Sequence, residues 1–455
     1  MGKDVSETQI RAFRKAFDED KMGKVAQNAV SNTDLASLAL NRDLVQSMDF
    51  SFSTKLDEWS VTNQKRSGRC WLFATLNLFR VGAMKKMNVK DFEFSQSHLF
   101  FWDKLERSNH FLEAIIDTSD RPVDDRTVHF LLSDPIGDGG QWNMAMNLIK
   151  KHGLVPKSAF PESSSSSSSR LMNGVLKDFL RSTACEIRGI LDNGGSEEQA
   201  RQKKEERMAE IWKILCIHLG TPPERFDWQW RDKDGEFHRK GEMTPHQFAD
   251  EFVDIDWEDY ICIVNDPRND YYRTYTVDYL QNVSGGPPVV YLNVPSNEMK
   301  SITQRILEDG TPVWMGCDVG KQMERKKGLW DANLYEFQEL YGVEFGMDKA
   351  DRLRFGQTMM THAMLFTGVD VVDGKPRRWK VENSWGAEES GVKGFYTMND
   401  NWYDEHMFEI ASPKSYLTDE MISGLDTDPV TLPAWDPMGS LAMEEAMDQE
   451  SVQIP

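Results

Sequence analysis

The fold is decided by Asn63-Gln64-Lys65-Arg66-Ser67-Gly68-Arg69-Cys70-Trp71-Leu72-Phe73. A polar loop that contains a glycine leads there into a cysteine and an apolar run. After Cys70, apolar residues recur at three- and four-residue steps, the spacing of one helix face: Leu72, Leu76, Phe79, Ala83 and Met87. The pattern predicts that Cys70 lies at a helix N-terminus, where unpaired backbone N–H groups and the helix dipole favour a thiolate. Gln64 is close enough in sequence to fold back and offer its amide N–H beside the sulfur.

Cys70 and Gln64 together make a candidate site for acyl transfer, which needs a nucleophile and a donor for the developing oxyanion. The alternative is a cysteine that only packs, because free cysteines are among the most buried residues. A catalytic cysteine also needs a base and a group that orients the base. Candidates for both lie far along the chain.

His362 and Asn383 are the candidate base and orienting group. Residues 359–369 form an apolar strand pattern with His362 near its start, and residues 377–386 alternate like a second strand and contain Asn383. Successive strands of this kind are neighbours in about two cases of three. Pairing would bring the Asn383 side-chain oxygen to one imidazole nitrogen and leave the other nitrogen facing Cys70. Trp385 would then shield that hydrogen bond from water. Each residue alone is more often structural, so the prediction depends on their conjunction.

These residues resemble those of the papain-like cysteine peptidases in order and in local motif. The papain pattern around the nucleophile is C-G-S-C-W, and this chain has Ser67-Gly68-Arg69-Cys70-Trp71. Ser67 therefore replaces a cysteine that forms a disulfide in secreted papains. The sequence separation between Cys70 and His362 is about twice that in papains, which implies a papain-like core with a large insertion.

The chain resembles the bleomycin hydrolase family more closely, the cytosolic self-compartmentalising branch of these peptidases. Six motifs scattered over nearly the whole chain carry this resemblance: FEFSQS (92–97), FFWDK (100–104), DGGQW (138–142), GCDVGK (316–321), THAM (361–364) and AWDPMG (434–439).

The resemblance implies a cysteine aminopeptidase that removes N-terminal residues from peptides. The implied catalytic residues are Cys70, His362, Asn383 and Gln64, and the implied substrate-binding residues are Gly139, Gly140, Trp385 and Ala442. A homohexamer, peptide substrates with a free N-terminus, and hydrolysis of the bleomycin amide and of homocysteine thiolactone are implied as well. Two alternatives stay open: a papain-like endopeptidase with an open cleft, and a nucleic-acid-binding or chaperone-like ring with a secondary peptidase activity.

Composition argues against nucleic-acid and membrane partners. The formal net charge is −21 at pH 7, and anionic surfaces repel such a chain. No apolar run reaches the length of a membrane span, and the N-terminus lacks the apolar core of a signal peptide. The cysteines are sparse and far apart, without CxxC or Cys/His ligand spacing: Cys70, Cys185, Cys216, Cys262 and Cys317. We therefore expect a cytoplasmic protein without a disulfide framework, metal site or cofactor.

The predicted fold class is α+β, a papain-like two-lobed fold with a helical lobe, a β-barrel-like lobe and large helical insertions. The predicted divisions are an N-terminal helix and arm (1–60), a helical lobe with the nucleophile (61–162), an inserted hook or helical segment (163–288), a β lobe with His362 and Asn383 (289–431), and a C-terminal arm into the cleft with an acidic extension (432–455). Strand patterns are concentrated after residue 289. The cleft between the two lobes is the predicted site.

Two segments have unusual composition. Residues 163–169 are an uninterrupted serine run, which has nothing apolar to bury and predicts a mobile surface loop. Residues 432–442 resemble an arm whose terminal carboxylate binds the substrate's α-amino group in the resembled family, but here residues 443–455 follow. Either this extension is trimmed near Ala442, or Glu444 or Glu445 supplies the negative charge, or the enzyme accepts blocked substrates.

Overall fold

The computed structural model describes residues 4–56, 59–388 and 391–441, and helices dominate the first half of the described chain. The α-helices are α1 (Glu7–Glu19), α2 (Lys21–Val30), α3 (Leu35–Ala39), α4 (Arg42–Ser47), α5 (Cys70–Met87), α6 (Gln96–Asp117), α7 (Arg126–Ser133), α8 (Trp142–His152), α9 (Ser164–Ser167), α10 (Arg170–Asp192), α11 (Glu197–Leu219), α12 (Pro245–Phe252), α13 (Ser296–Glu308), α14 (Phe337–Tyr341), α15 (Lys349–Arg354), α16 (Asp400–His406) and α17 (Asp419–Leu425). Within the described ranges, none of these helices is both long enough and apolar enough to cross a membrane.

The strands form one large sheet and one hairpin. They are β1 (Thr54–Lys55), β2 (Phe226–Arg231), β3 (Phe237–Met243), β4 (Tyr260–Val264), β5 (Arg273–Val277), β6 (Tyr291–Asn293), β7 (Val313–Cys317), β8 (Met323–Glu324), β9 (Leu329–Trp330), β10 (His362–Val372), β11 (Lys375–Glu382), β12 (Phe395–Asn399), β13 (Met407–Pro413) and β14 (Val430–Leu432). The large sheet has the order β14-β5-β6-β4-β13-β7-β10-β11-β12-β9-β8, with β1 paired to β10, and β2 pairs with β3 in the hairpin.

The large sheet separates two hydrophobic clusters. Ala363 and Leu365 belong to the cluster that contains Cys70 and the long helices. Met364 and Phe366, the alternate residues of the same strand, belong to the cluster that contains α13. Because successive side chains of a strand point to opposite faces, one face of the sheet packs against the nucleophile helix and the other against α13.

Helix α5 carries Cys70 at its first position and is buried on nearly all sides. The helix ends at Asn88, which adopts the left-handed conformation with a φ of 54°, after Lys85 and Lys86 in the last turn. A helix that is apolar around its whole circumference belongs in a core. The prediction that Cys70 begins a helix is confirmed.

The serine run does not form the predicted mobile surface loop. Residues Ser164–Ser167 form the short helix α9, and Ser163 caps it by accepting from the Ser166 backbone N–H. Ser166 and Ser169 are fully buried. The prediction was wrong because it counted only apolar burial, whereas these hydroxyls bind carboxylates, Ser166 that of the partly buried Glu162 and Ser169 that of the buried Asp138.

The strand-rich part of the chain begins earlier than residue 289. Strand β4 pairs with β13, and β5 pairs with β6, so both lie within the large sheet. The predicted division at residue 288 assigns these two strands to the insertion. In the structure both strands belong to the large sheet, so the sheet begins before that division. Helices α10 and α11 and the hairpin of β2 and β3 precede these strands, as the sequence pattern indicates.

The N-terminal helix α1 lies on the surface with none of its residues buried. Its apolar residues Ile10, Phe13 and Phe17 are all exposed. They recur at helical spacing and therefore form one apolar face. This exposed apolar face is unusual for the surface of a monomer.

Candidate active site

Cys70 meets the start of strand β10 across the interface between α5 and the sheet. The sulfur accepts hydrogen bonds from the backbone N–H of Ala363 and from the first N–H groups of α5, those of Trp71 and Cys70. Ala363 directly follows His362, so the nucleophile and the candidate base lie on neighbouring parts of the two lobes. The backbone at the helix start and the strand together supply donors for negative charge at sulfur.

Burial controls the protonation of this thiol. Cys70 is 1% exposed, and burial raises the pKa of its thiol to about 12, while the backbone N–H groups act in the opposite direction. Desolvation therefore opposes the thiolate that the helix start favours, and it has the larger effect on the pKa of the thiol. The thiolate expected from the helix start stays a prediction.

His362 and Asn383 are brought together by the antiparallel pairing of β10 and β11. Leu365 is opposite Glu382 in this pairing, which places Asn383, just after β11, beside the first residue of β10. His362 Nε2 is 2.9 Å from Asn383 Oδ1. The carboxamide oxygen accepts only if Nε2 carries the proton, so Nδ1 is the nitrogen left to accept a proton. The predicted pairing is confirmed.

The Asn383 side chain is itself fixed by its neighbours. The backbone N–H of Ser384 donates to Asn383 Oδ1 at 2.7 Å. The preceding residue, Glu382, accepts from Arg80 at 2.8 Å and from Asn77 at 3.1 Å, both on α5. The Glu382 carboxylate therefore ties the end of β11 to the helix that carries Cys70, and this fixes the orienting group relative to the nucleophile.

Trp385 covers the imidazole, as predicted. The centres of the His362 and Trp385 rings are 4.9 Å apart. The Arg325 guanidinium lies 4.5 Å from the centre of the Trp385 ring. Burial lowers the pKa of His362 to about 4; the hydrogen bond to Asn383 raises it, and the charge of Arg325 lowers it further. His362 is therefore neutral near pH 7 and able to act as a base. Arg325 was not singled out in the sequence, since nothing in its local pattern marks it.

Gln64 is buried and held by two partners. Its Nε2 donates to the Ser67 carbonyl oxygen at 2.7 Å, and its Oε1 accepts from the Ser384 hydroxyl at 2.6 Å. Its backbone N–H donates to the Ser384 carbonyl oxygen at 2.8 Å. Gln64 thus links the loop before Cys70 to the segment after Asn383, and its amide lies in the polar loop that leads into the nucleophile.

Asp138 is a functional candidate that the sequence reasoning noted only as part of a motif. Its carboxylate accepts from the Gly68 backbone N–H at 3.0 Å and from Lys104 at 2.6 Å. Asn173 donates at 2.6 Å, and Ser169 donates as well. These contacts hold the pKa of Asp138 well below its usual range despite complete burial. We call Asp138 with these four partners the Asp138 cluster; it anchors the loop before Cys70 where secreted papains have a disulfide.

Gly139 and Gly140 lie along the wall beside the nucleophile. The Asp138 carbonyl oxygen accepts from the Trp71 indole N–H at 2.8 Å, and the Gly139 carbonyl oxygen accepts from Arg107 at 2.7 Å. A Cβ at Gly140 would lie 2.5 Å from Trp71 Cε2, so only glycine allows the wall to contact the residue after Cys70. The two glycines lie where the sequence predicts a substrate-binding wall, and their role in binding stays a prediction.

The C-terminal arm approaches this wall. Gln141, the residue after Gly140, donates its side-chain amide to the carbonyl oxygens of Met438 and Ser440. The predicted substrate-binding residue Ala442 and the acidic residues Glu444 and Glu445 lie outside the described residues. The described arm therefore ends, at Leu441, next to the wall that contacts Trp71.

Among the described residues, one group of side chains could hold a metal ion, and it lies on the hairpin of β2 and β3. Asp232, Glu236 and His238 on the hairpin of β2 and β3 have potential ligand atoms within 4.8 Å of one another. His238 Nε2 is already 3.0 Å from Asp232 Oδ2. We assign no metal to this group.

Comparisons with known proteins agree with this geometry. A model of the Peptidase C1-like family matches residues 4–439. Bleomycin hydrolase of Rattus norvegicus is 43% identical over 446 residues, which cover 95% of this chain and 98% of that protein. Aminopeptidase C of Lactobacillus delbrueckii subsp. lactis is 40% identical over 449 residues, which cover 98% of this chain and 100% of that protein. The solved structure of PepW from Lactobacillus rhamnosis HN001 has a TM-score of 0.95 and 41% identity, and the match covers 97% of this chain and 100% of that chain.

These matches confirm the predicted α+β fold and the resemblance seen in the six motifs. The identity extends over nearly the full length of both proteins in each comparison. It therefore includes the inserted segment as well as the two lobes.

Proposed function

The chain belongs to the Peptidase C1-like family, and from this premise we propose that it is a cysteine aminopeptidase in which Cys70 attacks and His362 carries the proton. The observation that supports this proposal most directly is the chain of contacts at the site. Asn383 holds His362 through Nε2, and the residue after His362 donates its N–H to the Cys70 sulfur. This is the arrangement of nucleophile, base and orienting group that acyl transfer requires.

The proposed reaction begins with both groups neutral. The Cys70 thiol passes its proton to His362 Nδ1 as the sulfur attacks the carbonyl carbon of the peptide, and the carbonyl oxygen becomes an oxyanion. The Gln64 amide and the Cys70 backbone N–H stabilise that oxyanion. The imidazolium then gives its proton to the departing amine, which leaves an acyl-enzyme. Water attacks this thioester while His362 takes its proton, the carboxylic acid leaves, and the imidazolium returns the proton to the Cys70 sulfur.

The test of the nucleophile is Cys70→Ala. We expect hydrolysis and labelling by iodoacetamide at this site to be lost, with the unfolding midpoint little changed because alanine fits the same buried position. Cys185→Ala is the matched control, since Cys185 is an exposed free cysteine. Full peptidase activity in Cys70→Ala would eliminate the proposed mechanism.

The C-terminal arm supports action at peptide ends. The arm is hydrogen-bonded to Gln141, next to Gly139 and Gly140. A peptide that extends through the cleft would have to occupy this region. A relative named aminopeptidase C shares 40% identity with the chain. Comparison of an aminoacyl fluorogenic substrate with its N-acetylated form tests the proposal: we expect the free amine to react faster, and equal rates would favour the endopeptidase instead.

The fate of the C-terminal extension determines which carboxylate binds the substrate amine. We propose trimming near Ala442, which would leave a terminal carboxylate at the end of the arm. Intact mass spectrometry of active protein tests this, and retention of Pro455 in fully active enzyme would reject it. In that case Glu444→Gln and Glu445→Gln should raise the KM for free-amine substrates.

Bleomycin and homocysteine thiolactone are proposed as further substrates. The amide of bleomycin is suggested by the name of the relatives at 42–43% identity, and thiolactone hydrolysis follows from the same acyl-enzyme chemistry. Release of ammonia from bleomycin and of homocysteine from its thiolactone by the purified protein, both absent in Cys70→Ala, would support these assignments.

A homohexamer in the cytoplasm is the proposed state of the enzyme. The exposed apolar face of α1 supports assembly, because burying it in a contact between copies would remove that face from water. The inserted segment, residues 163–288, is proposed to contribute further contacts. The five described cysteines are all free, which suits a reducing compartment.

A further inference from the structure

Two buried side chains from different elements hold the C-terminal arm. Gln141, which precedes α8, donates Nε2 to the carbonyl oxygens of Met438 and Ser440, each at 3.2 Å. Tyr291, on β6, donates its hydroxyl to the same Met438 oxygen at 3.0 Å and also contacts Gln141 Oε1. Gln141 is 0% and Tyr291 1% exposed. We call this pair the arm clamp; it binds only the backbone of the arm.

The arm clamp is built into the wall of the active site. Gln141 directly follows Gly140, whose backbone lies against the Trp71 ring with no room for a Cβ. Trp71 in turn directly follows Cys70. The wall residue that binds Met438 is therefore the direct neighbour of the wall residue that contacts Trp71.

The upstream part of the arm is fixed independently of the clamp. Strand β14 runs parallel to β5 and pairs Val430 with Tyr275. Arg268 bridges Asp266 and Asp436 at 2.7 and 2.8 Å. Loss of the clamp is therefore expected to free the last residues of the described arm while the path up to Asp436 is kept.

We propose that Gln141 and Tyr291 are specificity-determining residues, which keep the arm seated in the cleft and so restrict cleavage to peptide ends. The inference rests on the proposed function. A peptide that extends on both sides of the scissile bond has to displace Met438 and Ser440 from their place beside Gln141. Displacement breaks the three hydrogen bonds from the clamp to the arm and leaves the Gln141 amide N–H without those acceptors in a buried place, which is costly for a buried polar group. A free-amine substrate that ends at the arm avoids that cost.

The test compares Tyr291→Phe and Gln141→Leu with wild type on an aminoacyl fluorogenic substrate and on an N-acetylated dipeptidyl substrate. We expect kcat/KM for the blocked substrate, divided by kcat/KM for the free-amine substrate, to rise about tenfold in each variant, since displacement then breaks fewer hydrogen bonds. Tyr335→Phe is the matched control, because this buried hydroxyl donates to the Met323 carbonyl oxygen at 3.2 Å, away from the arm.

Two further measurements separate positioning from general damage. Hydrogen exchange followed by mass spectrometry should be faster at residues 437–441 in both clamp variants and unchanged in Tyr335→Phe. The rate of Cys70 alkylation by iodoacetamide should not fall. Tyr291→Phe removes a single oxygen, so it keeps the test valid if Gln141→Leu does not fold.

The outcomes distinguish this inference from the proposed function. A wild-type enzyme that cleaves free and blocked substrates equally overturns the proposed aminopeptidase and the arm clamp with it. A wild type that prefers the free amine, with clamp variants that keep the same ratio, overturns the arm clamp alone. An equal loss of activity on the blocked and the free-amine substrate in Tyr291→Phe would also overturn the arm clamp. A clamp is expected to change the ratio of the two kcat/KM values.

Discussion

At the scale of the residue, His362 has two neighbours that set its protonation in opposite directions. The Asn383 oxygen stabilises the proton on Nε2, and the charge of Arg325, which reaches His362 past the Trp385 ring, disfavours a second proton. Burial has the largest effect on the pKa of His362 and lowers it, as the charge of Arg325 does. The base is therefore neutral near pH 7, as the proposed proton transfer from Cys70 requires.

The first prediction concerns the acid limb of activity. His362 must be neutral to accept the thiol proton, and its pKa is lowered to about 4, so kcat/KM should fall only as the pH drops through about 4. Arg325→Gln removes a cation that disfavours the imidazolium, so the pKa of His362 rises and the limb moves to higher pH. Rates of hydrolysis between pH 3 and 8 provide the measurement. Arg354→Gln, at an exposed arginine on α15, is the control and should leave the limb in place.

The second prediction concerns Asn383→Ala. The imidazole would lose the acceptor that fixes its ring, so kcat should fall at least about tenfold while KM changes little, because only the orientation of the base is affected. Steady-state kinetics on one free-amine substrate measures both constants. Asn399→Ala, at the end of β12, should leave kcat at the wild-type value. A rise in KM alone would contradict the role given to Asn383.

At the scale of the element, the serine run and the start of α10 support the nucleophile loop from outside the two lobes. Ser169 and Asn173 donate to the same carboxylate that accepts from the Gly68 N–H. Residues 66 and 168 also form a β-bridge. The serine run and the start of α10 are thus part of the support for the loop before Cys70.

The third prediction follows from this support. Ser169→Ala removes a buried hydrogen bond to a charged group and should lower the free energy of unfolding by about 1.5–3 kcal/mol. It should also lower kcat, because the Gly68 loop loses part of its anchor. Urea unfolding and steady-state kinetics measure the two effects. Ser164→Ala, at an exposed position in the same run, should change neither, and equal effects at both serines would refute the specific role of Ser169.

Elements with a periodic residue pattern could be predicted from the sequence. Elements and residues whose role depends on partners distant in sequence could not. The helix at Cys70 and the pairing of His362 with Asn383 were predictable because helical spacing and strand alternation are local. The role of the serine run was not, since it depends on Asp138. The partners of Cys70 could not be read from its local pattern for the same reason: the Ala363 N–H beside the sulfur comes from β10, nearly three hundred residues along the chain. Strands β4 and β5 were missed because each is short and lies between loops.

At the scale of the whole molecule, the site depends on two lobes that meet along one face of a sheet, while α1 stands apart from that core. The apolar face of α1 contacts water, and its residues belong to none of the three buried hydrophobic clusters of the described chain. Such a face is typical of a surface that another copy covers.

The fourth prediction is that Phe13→Ser combined with Phe17→Ser reduces the size of the assembly. Both side chains are exposed, so the fold of a single copy should not suffer. Sedimentation velocity at several protein concentrations should detect a shift from the proposed hexamer to smaller species. Lys15→Ser, on the opposite face of the same helix, is the control. An unchanged sedimentation coefficient in the double variant would exclude α1 from the contact.

The position of β13 in the sheet has a consequence for biosynthesis. This strand, Met407–Pro413, lies between β4 and β7 and is paired with both. A ribosome has to complete nearly nine-tenths of the polypeptide before these two sheet halves can be joined. A truncated product that lacks β13 would leave the facing edges of β4 and β7 with unpaired backbone N–H and C=O groups. Such unpaired strand edges promote aggregation. Quality control should therefore remove premature termination products, even those that already contain the nucleophile, the base and the asparagine.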